Sequence, residues 1–198
     1  MPTATTPVTT RRLLCNALAM LFSLLLLVIA PATSIGDEDP LLLKSRNTAD
    51  RFANLLQSAL QEAMAVGGPV NAIGVCKDMA PRIASKLSRE TGARVSRTSL
   101  RFRNAANAPE PWETAVLEKF DASGSADTAV EYFQRFGKNA ARYMKPIPTS
   151  SLCLSCHGTA VTPEVMAILA RDYPHDRARG YAAGDIRGAF SIVWPDSD

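Results

Sequence analysis

Five residues constrain this chain more than any others: Cys153-Leu154-Ser155-Cys156-His157, a C-x-x-C-H spacing. Two thiols separated by two residues can add to the two vinyl groups at one edge of a porphyrin. A histidine directly after them is placed to bind the iron axially. Read this way, the motif calls for one covalent haem c, and the remaining chain must wrap a large apolar plate. Two other chemistries use similar residues. Cys76, Cys153, Cys156 and His157 could supply three thiolates and an imidazole to zinc, but Cys156 and His157 are awkward neighbours on one small tetrahedral ion. A dithiol redox motif belongs at the start of a helix in a strand-helix-strand unit. Here it follows the proline-containing run Lys145-Pro146-Ile147-Pro148-Thr149-Ser150-Ser151.

Met1 to Ala32 reads as a signal peptide. Arg11 and Arg12 are its only charges; they precede an apolar run from Leu13 to Ala30, and Ala30-Pro31-Ala32 offers small residues for cleavage. The paired arginines suggest the twin-arginine route, whereas attachment of haem to an unfolded exported chain favours the general secretory one. Left uncleaved, a run of about 17–20 apolar residues would anchor the chain in a bilayer. Cys15 sits inside this run without a lipid-attachment context. Removing the two arginines takes the formal net charge from +3 to +1. With no Lys/Arg cluster, nothing in the charge pattern points to nucleic acid.

Residues 37–198 then make a single domain, large enough to enclose a cofactor. Export places it in the periplasm, an oxidising compartment. If Cys153 and Cys156 are thioether-linked, Cys76 has no internal disulfide partner, and a solitary thiol there is expected to be buried or bound.

Periodicity supplies the elements. Asp37 to Gly68 reads as a long amphipathic helix starting at Asp39-Pro40, with Ala49, Phe52, Leu56 and Ala63 at helical spacing and Gly67-Gly68-Pro69 as its stop. A dimerisation role for this helix, giving a homodimer, is the alternative to simple packing on the domain. A second helix from Pro69 repeats Ile73, Cys76, Ala80, Ile83 and Leu87, which places Cys76 on the buried face, and Pro81 is expected to kink or restart it.

Ala93 to Asn104 alternates as a strand, with Thr98, Leu100 and Phe102 opposite Arg97, Ser99, Arg101 and Arg103. Arg97, Arg101 and Arg103 are candidates to hold haem propionates by bidentate pairing. Helices are expected around Trp112, Val116 and Phe120 and from Thr162 to Arg171. Strands are expected at Val130–Phe136, Arg142–Ile147 and Ala189–Trp194. Gly180 to Gly188 reads as a tight loop near a ligand or as a hairpin. The total is an α+β fold with about five strands.

Several blocks together resemble a known family. They are Ala72-Ile73-Gly74-Val75-Cys76 with Ala80-Pro81-Arg82-Ile83-Ala84, Arg97 to Asn104, Pro111-Trp112-Glu113, Lys145-Pro146-Ile147, and Gly180-Tyr181 through Arg187-Gly188-Ala189. Ordered ahead of and around the haem motif, they resemble the Tll-like single-haem c-type proteins of cyanobacteria, over Ala49 to Val193. The resemblance implies a PAS-like antiparallel sheet flanked by helices around an enclosed haem. It also implies iron held between the C-x-x-C-H histidine and a cysteine of an upstream helix, which here are His157 and Cys76. Related domains precede histidine kinases, so a membrane signalling protein is an expected partner. One departure is Ala105, where the family has a proline after Asn104.

A thiolate ligand stabilises ferric iron and lowers the potential. Other residues able to take the place of Cys76 are Met79, Met144, Met166 and His175. Two functions follow as expectations. In the first, the chain is a redox or small-ligand sensor, because ferrous iron holds thiolate less firmly and the Cys76 helix becomes a two-state element. In the second, it is a low-potential electron-transfer cytochrome serving a redox partner. No enzymatic activity is expected: the chain offers no Ser-His-Asp set and no distal histidine.

Overall fold

The computed structural model describes Met1, residues 38–124 and residues 130–196. The signal peptide or anchor expected at 1–32 lies outside the described residues. Among the described residues, no helix is long and apolar enough to cross a membrane.

The chain opens with helix α1 (Pro40–Gly74), capped by the Asp39 carboxylate, which accepts from the Leu41 N–H at 2.8 Å. The helix breaks at Gly67–Gly68, as the glycine pair predicted. Gly68 sits at φ 62°, a left-handed conformation that β-carbon-bearing residues avoid. Asn71 spans the break by donating to the Ala63 carbonyl at 3.2 Å. The helical path then widens into one π turn, Val75–Met79, before α2 (Ala80–Thr91).

Proline causes that widening. Pro81 has no N–H for the Lys77 carbonyl and its ring crowds that carbonyl, so the ladder slips by one residue. The Ala80 N–H accordingly reaches back five residues, to the Val75 carbonyl. Cys76 lies in this slipped turn.

Four antiparallel strands follow: β1 (Arg94–Thr98), β2 (Tyr132–Arg135), β3 (Ala141–Pro148) and β4 (Ile186–Trp194), in the order β1-β4-β3-β2. The fold is α+β, with four strands among the described residues against the approximately five expected. Between β1 and β2 comes helix α3 (Pro111–Ala122), with a reciprocal cap between Glu110 and Glu113. Helix α4 (Ser151–His157) follows β3, and α5 (Pro163–Asp172) begins at the Thr162 cap.

Alternation along the strands splits the core in two. Tyr143, Phe190, Ile192 and Trp194 face α1 and α2, where they meet Phe52, Leu56, Ile83 and Leu87. Met144 and Ala189 face α3 and pack on Val116, Leu117 and Phe120. Trp194 Nε1 donates to Ser45 Oγ at 2.7 Å, tying the end of β4 to the start of α1.

The strand expected over Ala93–Asn104 ends at Thr98. Ser99 there leaves the ladder: its hydroxyl donates to the Arg187 carbonyl at 2.7 Å and accepts from the Arg101 N–H at 3.2 Å. The chain turns, so a continuous four-residue cationic ladder does not form. Asn104 then caps a short 3-10 turn, Ala105–Asn107, by accepting from the Ala106 N–H, which serves the turn without a proline.

Candidate functional site

The C-x-x-C-H residues fold as helix α4, directly after the last residues of β3. Its sheet neighbour is antiparallel, so the strand-helix-strand setting of a dithiol oxidoreductase is absent among the described residues. Cys153 and Cys156 are half-buried free thiols. Burial raises the Cys156 thiol above its ordinary pKa, while the Arg103 charge pulls it down.

His157 is only 7% exposed. Its Nδ1 lies 2.7 Å from the Ala178 carbonyl. A carbonyl can only accept, so Nδ1 carries the proton and Nε2 keeps its lone pair for a ligand. Burial holds the imidazolium form well below its usual range, and the charges of Arg187 and Arg103 push the same way. The imidazole is therefore neutral at neutral pH. It is also pinned: the Tyr181 N–H donates to the His157 carbonyl at 3.0 Å.

Two adjoining clefts, both partly open to solvent, meet at this histidine. Cys76, Arg97, Arg103, His157 and Arg187 line both. One cleft is apolar, walled by Leu56, Leu60, Met64, Ala72, Ile73 and Leu152. The other is polar, with Thr98, Ser99, Asn104, Asn107 and Tyr173. Among the described residues, no Asp or Glu lines either cleft.

The arginines divide by partner. Arg103 is 8% exposed and paired with the 4% exposed Asp176 at 3.2 Å. It also donates to the Cys156 carbonyl at 2.5 Å and the Ala178 carbonyl at 3.2 Å, so it fastens the end of α4 to the loop before Tyr181. Arg101 is exposed, stacks 3.7 Å from the Tyr181 ring centroid and donates to the Arg179 carbonyl. Arg97 lies over the Phe52 ring at 5.9 Å and has no ion-pair partner among the described residues. Burial lowers its guanidinium pKa, with the Arg187 charge adding to that effect and the Cys76 thiol opposing it. Arg187, which the sequence reading passed over, has a buried Nε with no hydrogen-bond partner.

These observations test the fit of a haem. An amphipathic plate with an apolar body and two carboxylates at one edge matches an apolar cleft joined to an arginine-lined one. The orphaned Arg187 Nε and the unpaired Arg97 would offer donors to such carboxylates. The four residues of the zinc alternative all line the apolar cleft but do not close around one point: among the described residues no group of three or more His, Cys, Asp or Glu side chains could hold a metal ion.

Comparison with known proteins fits this geometry. A family model described as Tll0287-like matches residues 33–195. The chain belongs to the Tll0287-like family. Among solved structures, this Tll0287-like chain is similar to the crystal structure of the cyanobacterial haem protein Tll0287. The two are 23% identical with a TM-score of 0.65, and the match covers 81% of this chain and 98% of that one. At that identity the likeness is one of fold. No curated protein matches the chain.

The alternatives to Cys76 are placed elsewhere in this Tll0287-like fold. Met144 is buried on the α3 face of the sheet, Met79 is exposed, and Met166 touches Arg179 at 3.4 Å. His175 is exposed. Met64, which sequence reasoning had passed over, lines the apolar cleft. Its only sequence signal is a helical spacing of four residues from Leu60.

Proposed function

We propose that this chain is an exported, single-haem c-type protein of the periplasm. In this reading Cys153 and Cys156 hold the haem covalently, and His157 and Cys76 are its axial ligands. The observation that carries the reading is the fixed tautomer of His157: a buried imidazole with Nδ1 committed to Ala178 presents Nε2 at the junction of the two clefts. A bound haem supplies one-electron chemistry at iron, with a thiolate ligand favouring the ferric state. The chain's own residues exclude water on the α1 side, hold the imidazole, and place a thiol in the same chamber.

The role is sensing of redox state or of a small ligand. Cys76 sits in a π turn, a strained hydrogen-bond register, between the glycine break of α1 and the start of α2. Release of the thiolate would free that turn, whose register Pro81 fixes, to move together with the long helix it terminates. The expected receiver is a membrane signalling protein, and the chain has no enzymatic activity of its own. The rival reading is electron transfer to a redox partner, favoured by the partial exposure of Leu152 and Cys153, which line the apolar cleft.

The test is an optical spectrum of the protein matured in a haem-attaching periplasm, reduced, before and after carbon monoxide. A shift means that the sixth ligand leaves ferrous iron, as a sensor requires. An unshifted spectrum favours the electron carrier. Colourless protein of unaltered polypeptide mass rejects the haem reading altogether.

A further inference from the structure

The register between β3 and β4 changes by one residue near its end. Ile147 faces Gly188, but Pro148 faces Ile186, so Arg187 is the extra residue of a bulge on β4. The effect shows in the packing. Ile186 and Ala189, three apart, both lie against the α3 side of the sheet. Strict alternation would send Arg187 to that side too, beside Ala189. The bulge turns it instead toward the clefts, where it joins Arg97, Cys76 and His157.

That turn is held from behind. The Arg187 carbonyl, displaced from the ladder, accepts from Ser99 Oγ at 2.7 Å and from the Tyr181 hydroxyl at 3.4 Å. Gly188 permits it, since β1 runs so close that a β-carbon there would meet the Thr98 carbonyl at 2.4 Å. The backbone is thus arranged to aim one side chain, and that side chain has no protein partner for its buried Nε.

Arg97 and Arg187 are both half-buried; a guanidinium partly removed from water without an acid is costly, and two sharing a chamber repel each other. Arg103 is neutralised by Asp176, and Arg101 is itself exposed to solvent while stacking on Tyr181. Of the three arginines that line both clefts, Arg97 and Arg187 have no ion-pair partner among the described residues, and no described carboxylate lines either cleft. The ligand that balances them is a dianion bearing two carboxylates close together.

The geometry points to Arg187, paired with Arg97, as the carboxylate clamp of this site, with Ser99 and Tyr181 positioning Arg187 through its main-chain carbonyl. This rests on the haem reading, in which the two carboxylates are the propionates. It separates the cluster by role: Arg97 and Arg187 bind, whereas Arg103 locks helix α4.

The experiment is resonance Raman spectroscopy of the propionate bending modes in the haem-loaded full chain, with covalent haem content measured by mass. Arg187→Gln and Arg97→Gln are each expected to shift a propionate band, and Ser99→Ala to shift it less, at unchanged haem content. Arg142→Gln, on the α3 face, is expected to leave the bands as in the parent. Arg187→Lys covers poor accumulation of the glutamine variant: it retains charge without the bidentate fork and is expected to shift the same band. Fully loaded Arg187 variants with unmoved bands overturn the clamp while leaving the haem reading intact. A band that moves in Arg101→Gln and not in the Arg187 variants overturns it as well. A parent chain that carries no covalent haem defeats both readings together.

Discussion

The Ala178 carbonyl accepts from His157 Nδ1 at 2.7 Å, and the same oxygen accepts from Arg103 Nη2 at 3.2 Å. One peptide group therefore sets both the tautomer of the histidine and the place of the arginine that holds helix α4. Asp176 completes the arrangement, pairing with Arg103 and accepting from the Ala178 N–H at 2.9 Å.

Asp176→Asn should be severe. It leaves Arg103 buried with an uncompensated charge, and breaking such a pair costs about 3–5 kcal/mol. Replacing Arg103 and Asp176 together by apolar residues of similar volume should cost less than the single change. Urea unfolding of the two variants decides this, and a double variant less stable than Asp176→Asn would refute the pairing argument.

Cys76→Ala tests the axial thiolate. Loss of a charged, electron-donating ligand should raise the midpoint potential and alter the ferric spectrum. Met64→Leu should change neither. The reverse pattern, a silent Cys76→Ala and a perturbed Met64→Leu, would transfer the sixth position to Met64, which lines the same apolar cleft.

Gly188→Ala should destabilise the sheet. Its new β-carbon would lie 2.4 Å from the Thr98 carbonyl at a φ of 155°, and backbone cannot retreat as a side chain can. A loss of about 1–3 kcal/mol is expected from backbone strain alone. Thermal melting reads it directly; an unchanged midpoint would mean that β1 and β4 separate more easily than their paired register implies.

Alkaline pH should weaken the fold through two phenols. Burial, reinforced by the bond it donates to Glu131 at 2.8 Å, raises the Tyr143 pKa above its ordinary value. Burial and the nearby Cys76 thiol push Tyr173 up to about 12. Both groups are neutral in the fold and ionise more readily when unfolded. Their contribution is therefore complete below about pH 10, the unfolded value, and is lost as pH rises through the folded values. Tyr173→Phe should flatten the stability profile between about pH 10 and 12, as measured by denaturant midpoints across that range.

Much of the architecture was legible in the chain. Helical spacing located α1, and Gly67-Gly68-Pro69 its break, because backbone freedom and a missing N–H act locally. Pro81 announced a disturbance beside Cys76, although its form as a slipped π turn depends on where Ala80 finds an acceptor. The leftover-thiol argument singled out Cys76 without any geometry. Alternation failed after Thr98, where a hydroxyl far along the chain from its acceptor ends the strand.

The sequence by itself determined the C-x-x-C-H motif, the α+β order of elements and the shortlist of cationic residues, since each rests on spacing along one segment. Only the tertiary structure decided what those cations do, and it added Arg187 to them. Arg103 meets an aspartate 73 residues away, and Arg187 is turned by a bulge that exists only once β3 and β4 are paired. A side chain's residue type is local information. Its charge balance is a property of what the fold brings beside it.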